Sequence, residues 1–539
     1  MRSGGIVRGY LAVQYLRAIK YNKGGCVTVS KGRLVFGHSF DWTRPSFILG
    51  LVTLGIHLVA NGNYGFFRDE LYFIVCGKHP AWGYVDQPPF VPLLAAGSYA
   101  LSGGSLLAFR LLPALVLAAT VALTAEFARV VGGGRFAQGL AGLCALFAPI
   151  FLIQGVLFGT DMFQAMTWLG LAWILVRLEQ TGDERWWLGF GLITGFSLET
   201  KYAIAFFLVA LAVGLLVTPR RKSLLRPWVY LGALAAAVIV LPNVLWQQAH
   251  SWPFRELGEA GVNGKNAILS PLAYFGQQCL LVAPLGMVVA LCGLWAGAVR
   301  PRLVTARAIA VAWFVLFAIF DSAHGKAYYL TPIYPALLAF GAQRIEQWLG
   351  KAVARGAALA AVIVLGALTA PLTLPILPID AFIRYQQTIG VTPSSGERLK
   401  TSTLPQYYAD MFGWRGMAAK VAKVYWSLPP EDRARAVFFG NNYGEASAID
   451  VFGRRLGLPP AIAGHNNYYL WGPRGHDGSV IIIIGGSARH YAGLFRSYRI
   501  AGRIDSPYAM PYETNQPIYV LRGMKTPLQK YWPQVKHFE

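Results

Sequence analysis

The chain has 539 residues, 55% of them hydrophobic and only 14% charged, with a mean hydropathy of +0.44. A soluble globular protein carries about 25% charged residues, so this composition excludes an ordinary soluble enzyme and describes a polytopic membrane protein with some water-exposed mass. The net charge of +23 sits in short Lys/Arg clusters between apolar runs, which is how membrane topology is written, and no nucleic-acid partner is expected.

Residues 1–45 are basic, with no acidic residue before Asp41 and no apolar stretch leading to a cleavage site. They read as a cytoplasmic tail and not as a signal peptide. A spanning helix needs about 20 mostly apolar residues. Candidate stretches run 46–62, 108–130, 137–157, 162–178, 187–200, 202–218, 227–246, 272–298, 304–320, 328–347 and 356–376, about eleven in all. Together they define a membrane domain over 46–376, with a first outer loop at about 63–107. The apolar stretch 90–102 is too short to cross and predicts a helix lying at the interface.

With the basic tail inside, the connections around Arg129/Arg135, Arg177/Arg185, Arg220–Arg226, Arg300–Arg307 and Arg344–Arg355 all fall on the same side. Each is rich in Arg or Lys, as cytoplasmic loops are. Asp69, Glu70, Asp86, Asp161, Glu199, Lys201, Asp321, His324 and Lys326 then gather at the opposite, extracytoplasmic face. Ionisable groups near bilayer depth are costly and usually face a cavity, so this convergence predicts a polar site at the membrane boundary.

From about 377 the long apolar runs stop. "RAVFFG", "SVIIIIGG" and "PIYVLRG" read as strands, while "MAAKVAKVYWSL", "YGEASAIDVFGRRLG" and "SARHYAGLFR" read as helices. That alternation predicts an extracytoplasmic α/β domain over 377–539 with a partly parallel sheet. The five cysteines, Cys26, Cys76, Cys144, Cys279 and Cys292, show no paired spacing. Neither a disulfide framework nor a metal site is indicated, and no cofactor is expected.

Asp69 and Glu70 are neighbours, so on a helix they point about 100° apart. One is expected to act and the other to anchor. Asp86 precedes Pro88-Pro89, which forces extended backbone, and the aromatic residues Trp82 and Tyr84 beside it resemble a sugar-handling surface. Asp161 reads as a site carboxylate or as a helix N-cap. Lys201 reads as a phosphate contact or as half of a structural ion pair. His324, Lys326 and Tyr328 suit a phosphate, or an interfacial belt of snorkelling and aromatic side chains.

The stretch "FFRDELYFIVCGKHPAWGYVDQPPFVPLLA" resembles the first outer loop of glycosyltransferase family 39, the protein O-mannosyltransferases and aminoarabinose transferases of GT-C fold. The family pattern is Asp-Glu followed by Gly-Tyr-x-Asp-His-Pro-Pro-Leu. Here Asp69-Glu70 and Gly83–Phe90 match it, with Gln87 where His is usual. "GTDMF", "ETKY" and "KAYYLTPIYPAL" are similar to later family segments.

The resemblance implies a multi-pass enzyme of the inner, cytoplasmic membrane working at its outer face. Such an enzyme moves a sugar from a polyprenyl-phosphate donor to lipid A, another glycan, a lipid or a protein. It implies Asp69 as general base, with Glu70 as its catalytic neighbour. Asp86, Asp161, Tyr84 and Trp82 would bind substrate, and Lys201, His324, Lys326 and Tyr328 would bind the donor phosphate. A secondary transporter would instead show two matching halves with broken helices at mid-membrane, and the sequence shows no such symmetry. An inactive scaffold of the same fold is the other alternative, disfavoured by the retained Asp69-Glu70.

Overall fold

The computed structural model describes residues 43–539, apart from Arg300, Arg302 and Gly396. The expected cytoplasmic tail therefore lies, up to Trp42, outside the described residues, as does Cys26.

Each of the eleven apolar stretches is helical, but several are not single rods. Four helices are long and apolar enough to cross a membrane alone: Leu111–Val130, Pro227–Ala249, Val304–Ser322 and the run Ala352–Leu372. Three bent pairs bring the number to as many as seven. The stretch expected as one span over 272–298 is two helices, Pro271–Leu281 and Pro284–Val299, meeting at 110°. The break is at Ala283, which takes the left-handed φ of +61°. A residue before proline is pushed out of the right-handed helical region, and Pro284 itself supplies no N–H. Pro149 opens the second limb of the 137–157 stretch, bent by 63°, in the same way. The short stretch 90–102 forms the helix Phe90–Leu101, close to the length expected.

The five basic connections lie at one end of the bundle and are tied to each other. Glu346 accepts from the Gly134 N–H at 2.5 Å. Glu179 accepts from the main-chain N–H groups of Val304 and Thr305 at 2.6 and 2.9 Å. Arg220 donates to the Leu178 carbonyl, Gln180 to that of Val130, and Ser223 to Glu184.

At the other end sits a five-stranded sheet of order β2-β1-β3-β5-β4. Its strands are β1 (Ala436–Gly440), β2 (Ile462–Ala463), β3 (Val480–Ile484), β4 (Phe495–Ile504) and β5 (Gln516–Met524). β2, β1 and β3 are parallel; β5 is antiparallel to both β3 and β4. The sheet is therefore mixed, and β3 is buried at all five positions, as its run of four isoleucines demands. Gly485 and Gly486 leave β3 at φ +73° and +78°, and the Ser487 hydroxyl then caps the next helix at the His490 N–H.

This layer is not a separate globule. The Arg68–Lys78 helix shares one hydrophobic core with it: Leu71, Tyr72, Ile74 and Val75 pack with Met417, Val421, Phe438, Ile449, Ile482 and Val520. Seven consecutive residues of that helix, Glu70 to Cys76, are buried.

Candidate active site

Asp69 is the second residue of the Arg68–Lys78 helix. Its side chain is 37% exposed. Oδ1 accepts from the Tyr443 hydroxyl at 2.8 Å and, more loosely, from Arg68 Nε at 3.4 Å. Among the described residues no donor meets Oδ2. Arg68 is held from behind: Nη1 donates to the Tyr512 hydroxyl at 3.0 Å and Nη2 lies 4.0 Å from the buried Asp410 carboxylate. A cavity of about 280 Å³ opens beside this pair, lined by Arg68, Glu397, Arg398, Asn442, Tyr443 and Tyr512.

Glu70 does something different. Both it and Arg110 are completely buried. Oε2 accepts from Arg110 Nη2 at 2.7 Å and from the Phe67 N–H at 2.8 Å; Oε1 accepts from Arg110 Nε at 2.9 Å and from the Phe158 N–H at 3.0 Å. Four donors fill this carboxylate and none is a substrate. Of the two neighbours expected to act and to anchor, Glu70 has the surroundings of the anchor.

Tyr84 is also an internal strut: it is fully buried and donates to the Cys76 carbonyl at 2.8 Å. Its hydroxyl faces its own loop, and it does not line the cavity beside Arg68. Trp82 is exposed, and its carbonyl accepts from Asn243. Asp86 is half-buried and accepts from the Tyr72 hydroxyl at 3.0 Å. Asn467, from the sheet layer, accepts from the Val85 N–H at 2.6 Å and so fastens this loop to the layer.

Asp161 receives the Lys201 ammonium through both oxygens, at 2.7 and 2.8 Å. It does not cap the following helix, whose N-cap is Phe163 with no side-chain bond. Lys201 also lies over the rings of Tyr328 and Tyr329, 5.2 and 5.0 Å from their centroids. Lys326 donates to Glu397 at 2.7 Å. Burial disfavours its charge, but Glu397 and the nearby Tyr329 and Asp69 outweigh that and raise its pKa. His324 takes a left-handed φ of +49°, and its carbonyl accepts from Asn266.

The expected residues thus fall into linked groups at one end of the molecule. Asp161, Lys201 and Tyr328 form one, Lys326 with Glu397 the next, and Asp69 with Arg68 and Tyr443 a third within electrostatic reach of Lys326. The loop carrying Trp82, Tyr84 and Asp86 stands behind Tyr72.

Several residues here had not been singled out. Arg110 carried a signal, an arginine opening an apolar span. Tyr443, Glu397 and Tyr512 carried none, because their meaning depends on a partner 71 to 444 residues away.

One group among the described residues could hold a metal: ligand atoms of His465, His537 and Glu539 all lie within 4.8 Å of one another. His465 Nδ1 accepts from the Tyr443 N–H at 3.4 Å, which directs the Nε2 proton to the Glu539 carbonyl at 3.3 Å. A cation ligated through Nε2 would have to displace that proton.

Residues 86–246 match the family model described as dolichyl-phosphate-mannose-protein mannosyltransferase. The chain is 27% identical over 248 residues to the lipid A galacturonosyltransferase RgtD of Rhizobium johnstonii. That match takes in 44% of the chain and spans about half, 51%, of the relative's length. The fold is similar to that of ArnT from Cupriavidus metallidurans bound to undecaprenyl phosphate, with TM-score 0.59, 15% identity, 88% of this chain and 97% of that one covered. The apo state of the same protein gives TM-score 0.57, 16% identity and the same coverage. The GT-C fold is thereby borne out, and the family model takes in the later part of the first outer loop, from Asp86 onward. Asp69 and Glu70 lie outside the matched residues 86–246.

Proposed function

We propose that this chain is a glycosyltransferase of the inner membrane. It would move a sugar from a polyprenyl-phosphate donor to an acceptor at the extracytoplasmic face, with Asp69 as general base. The observation that carries the reading is the Asp69 carboxylate itself: one oxygen is held, the other meets no donor among the described residues, its partners Arg68 and Tyr443 line a cavity, and it stands within electrostatic reach of Lys326. The family match and the fold shared with a protein crystallised with undecaprenyl phosphate support the donor class. The relative that acts on lipid A puts lipid A first among the acceptors, ahead of another glycan, a lipid or a protein.

In the step, Asp69 Oδ2 takes the acceptor hydroxyl proton as the acceptor oxygen bonds to the anomeric carbon. The bond from that carbon to the phosphate oxygen breaks, and its electron pair leaves with the lipid phosphate. Positive charge near that oxygen lowers the barrier. An ammonium has three donors; Lys201 spends two on Asp161 and Lys326 one on Glu397, so each retains protons for a phosphate. His324 and Tyr328 stand with them as further donor-phosphate contacts, and Asp86, Asp161 and Trp82 as groups that bind substrate or order the outer loop. The basic connections at the far end of the bundle support a cytoplasmic placement for that end and an extracytoplasmic one for the site.

The test is Asp69→Asn, which keeps shape and removes basicity. Purified full-length protein is incubated with a total lipid extract of a strain lacking the gene, and glycosylated products are followed by mass spectrometry. Loss of a base costs about 10²- to 10⁴-fold. An Asp69→Asn enzyme with the parent's rate would overturn the assignment.

A further inference from the structure

We propose that Tyr443, supplied by the sheet layer, is a positioning residue for Asp69, fixing one carboxylate oxygen so that the other addresses the acceptor hydroxyl. This rests on the reading of Asp69 as base.

The hydroxyl of Tyr443 gives Asp69 Oδ1 its short hydrogen bond, at 2.8 Å, against 3.4 Å from Arg68. A carboxylate with one loose partner rotates; with a second, short one its free oxygen has a defined place. Reacting groups must be held to within about 0.5 Å.

Tyr443 is itself firmly held. It is the first residue of the Tyr443–Phe452 helix, whose N-cap Asn442 accepts from the Glu445 N–H at 2.9 Å and donates to Glu513 at 2.8 Å. Its ring is 7% exposed and lies between Tyr72, 4.6 Å away, and His465, 4.8 Å away. The Arg68 guanidinium stands over it at 5.3 Å. Gly444 permits this closeness: a Cβ there would meet Arg68 Cγ at 2.5 Å.

A carboxylate can only accept, so the Tyr443 hydroxyl is the donor of this bond. A hydrogen bond donated to a carboxylate favours its charged form, which is the form a base needs.

The experiment uses the same lipid-extract assay and reads rate against pH. Tyr443→Phe keeps the ring and its packing and removes only the donor. The expected result is a rate about 10- to 100-fold lower, the size that misplacing a reacting group produces, with the acid limb of the profile moved to higher pH. Tyr491→Phe is the control: it removes a buried phenol of the same layer whose partner is the Gly485 carbonyl and not Asp69, and should leave the limb where it is.

If Asp69→Asn is inert while Tyr443→Phe keeps the parent's rate and limb, this proposal fails and the base assignment stands. A rate lowered equally at all pH values, with the limb unmoved, reduces Tyr443 to packing and also overturns it. If Asp69→Asn turns over normally, both fall together. Should Tyr443→Phe not fold, 3-fluorotyrosine at 443 keeps the shape and sharpens the donor; the limb then moves to lower pH, and an unmoved limb refutes the idea.

Discussion

The pairing of Glu70 with Arg110 sets the cost of disturbing the site from behind. Both side chains are wholly buried, and Arg110 also donates to the Gly65 carbonyl at 2.9 Å. Removing one member of a buried ion pair leaves an uncompensated charge and costs about 3–5 kcal/mol. Arg110→Ala should therefore lower the melting temperature in detergent markedly, while Arg110→Met with Glu70→Gln should recover much of the loss. An Arg110→Ala protein as stable as the parent would remove the anchor reading of Glu70. The sequence reveals that only one of two adjacent carboxylates can face the substrate, because helix geometry alone separates them. It does not reveal which, since the choice is made by an arginine forty residues away. Tyr84 is ambiguous for a related reason: an aromatic residue beside a carboxylate looks the same in sequence whether its hydroxyl faces a sugar or a carbonyl of its own loop.

The element that presents Tyr443 is the loop from β1 into its helix, and acidic groups surround it. Burial raises Glu445 well above the carboxylate range and Glu513 to about 7, although Asn442 and Arg68 pull the latter down and Asp410 pushes it up. An unfolded Glu titrates near about 4.3. The fold thus binds protons that the unfolded chain releases, so stability is greatest below that value and falls as pH rises toward about 7. Glu513→Gln should flatten the decline of melting temperature between pH 5 and pH 8. A slope identical to the parent's would show that these carboxyls do not govern it. Strands β1, β3 and β5 were legible because buried strands are continuous apolar runs. β4 was not: most of its residues are exposed, so at the sheet edge "FRSYRIAGRI" carries neither alternation nor an apolar run, and its first two residues read as the end of the helix "SARHYAGLFR". The bent helices likewise conceal themselves, because a proline inside an apolar stretch changes direction without changing hydropathy.

For the whole molecule, the decisive question is which end faces the cytoplasm. Lys222 is exposed in the basic connection 218–226, and Gly261 opens the short helical segment Gly261–Lys265 at the opposite end, where an added Cβ would meet only Asn266, at 3.9 Å. In a background without native cysteines, Gly261→Cys should react with an impermeant thiol reagent on spheroplasts, and Lys222→Cys only after lysis. The reverse pattern would invert the proposed orientation and place the site where no exported glycan could reach it. The bond between Tyr443 and Asp69 also joins residues 374 apart in the chain. Synthesis at about 5–20 residues per second separates their appearance by roughly 20 to 75 s. A nascent chain has Asp69 long before it has Tyr443, and the shared core around the Arg68–Lys78 helix cannot close until the sheet layer has been made. If the proposed orientation and base hold, activity would be timed by biogenesis: a truncated protein would embed in the bilayer with its reactive groups unassembled, and the donor lipid would be spared until the last segment had crossed.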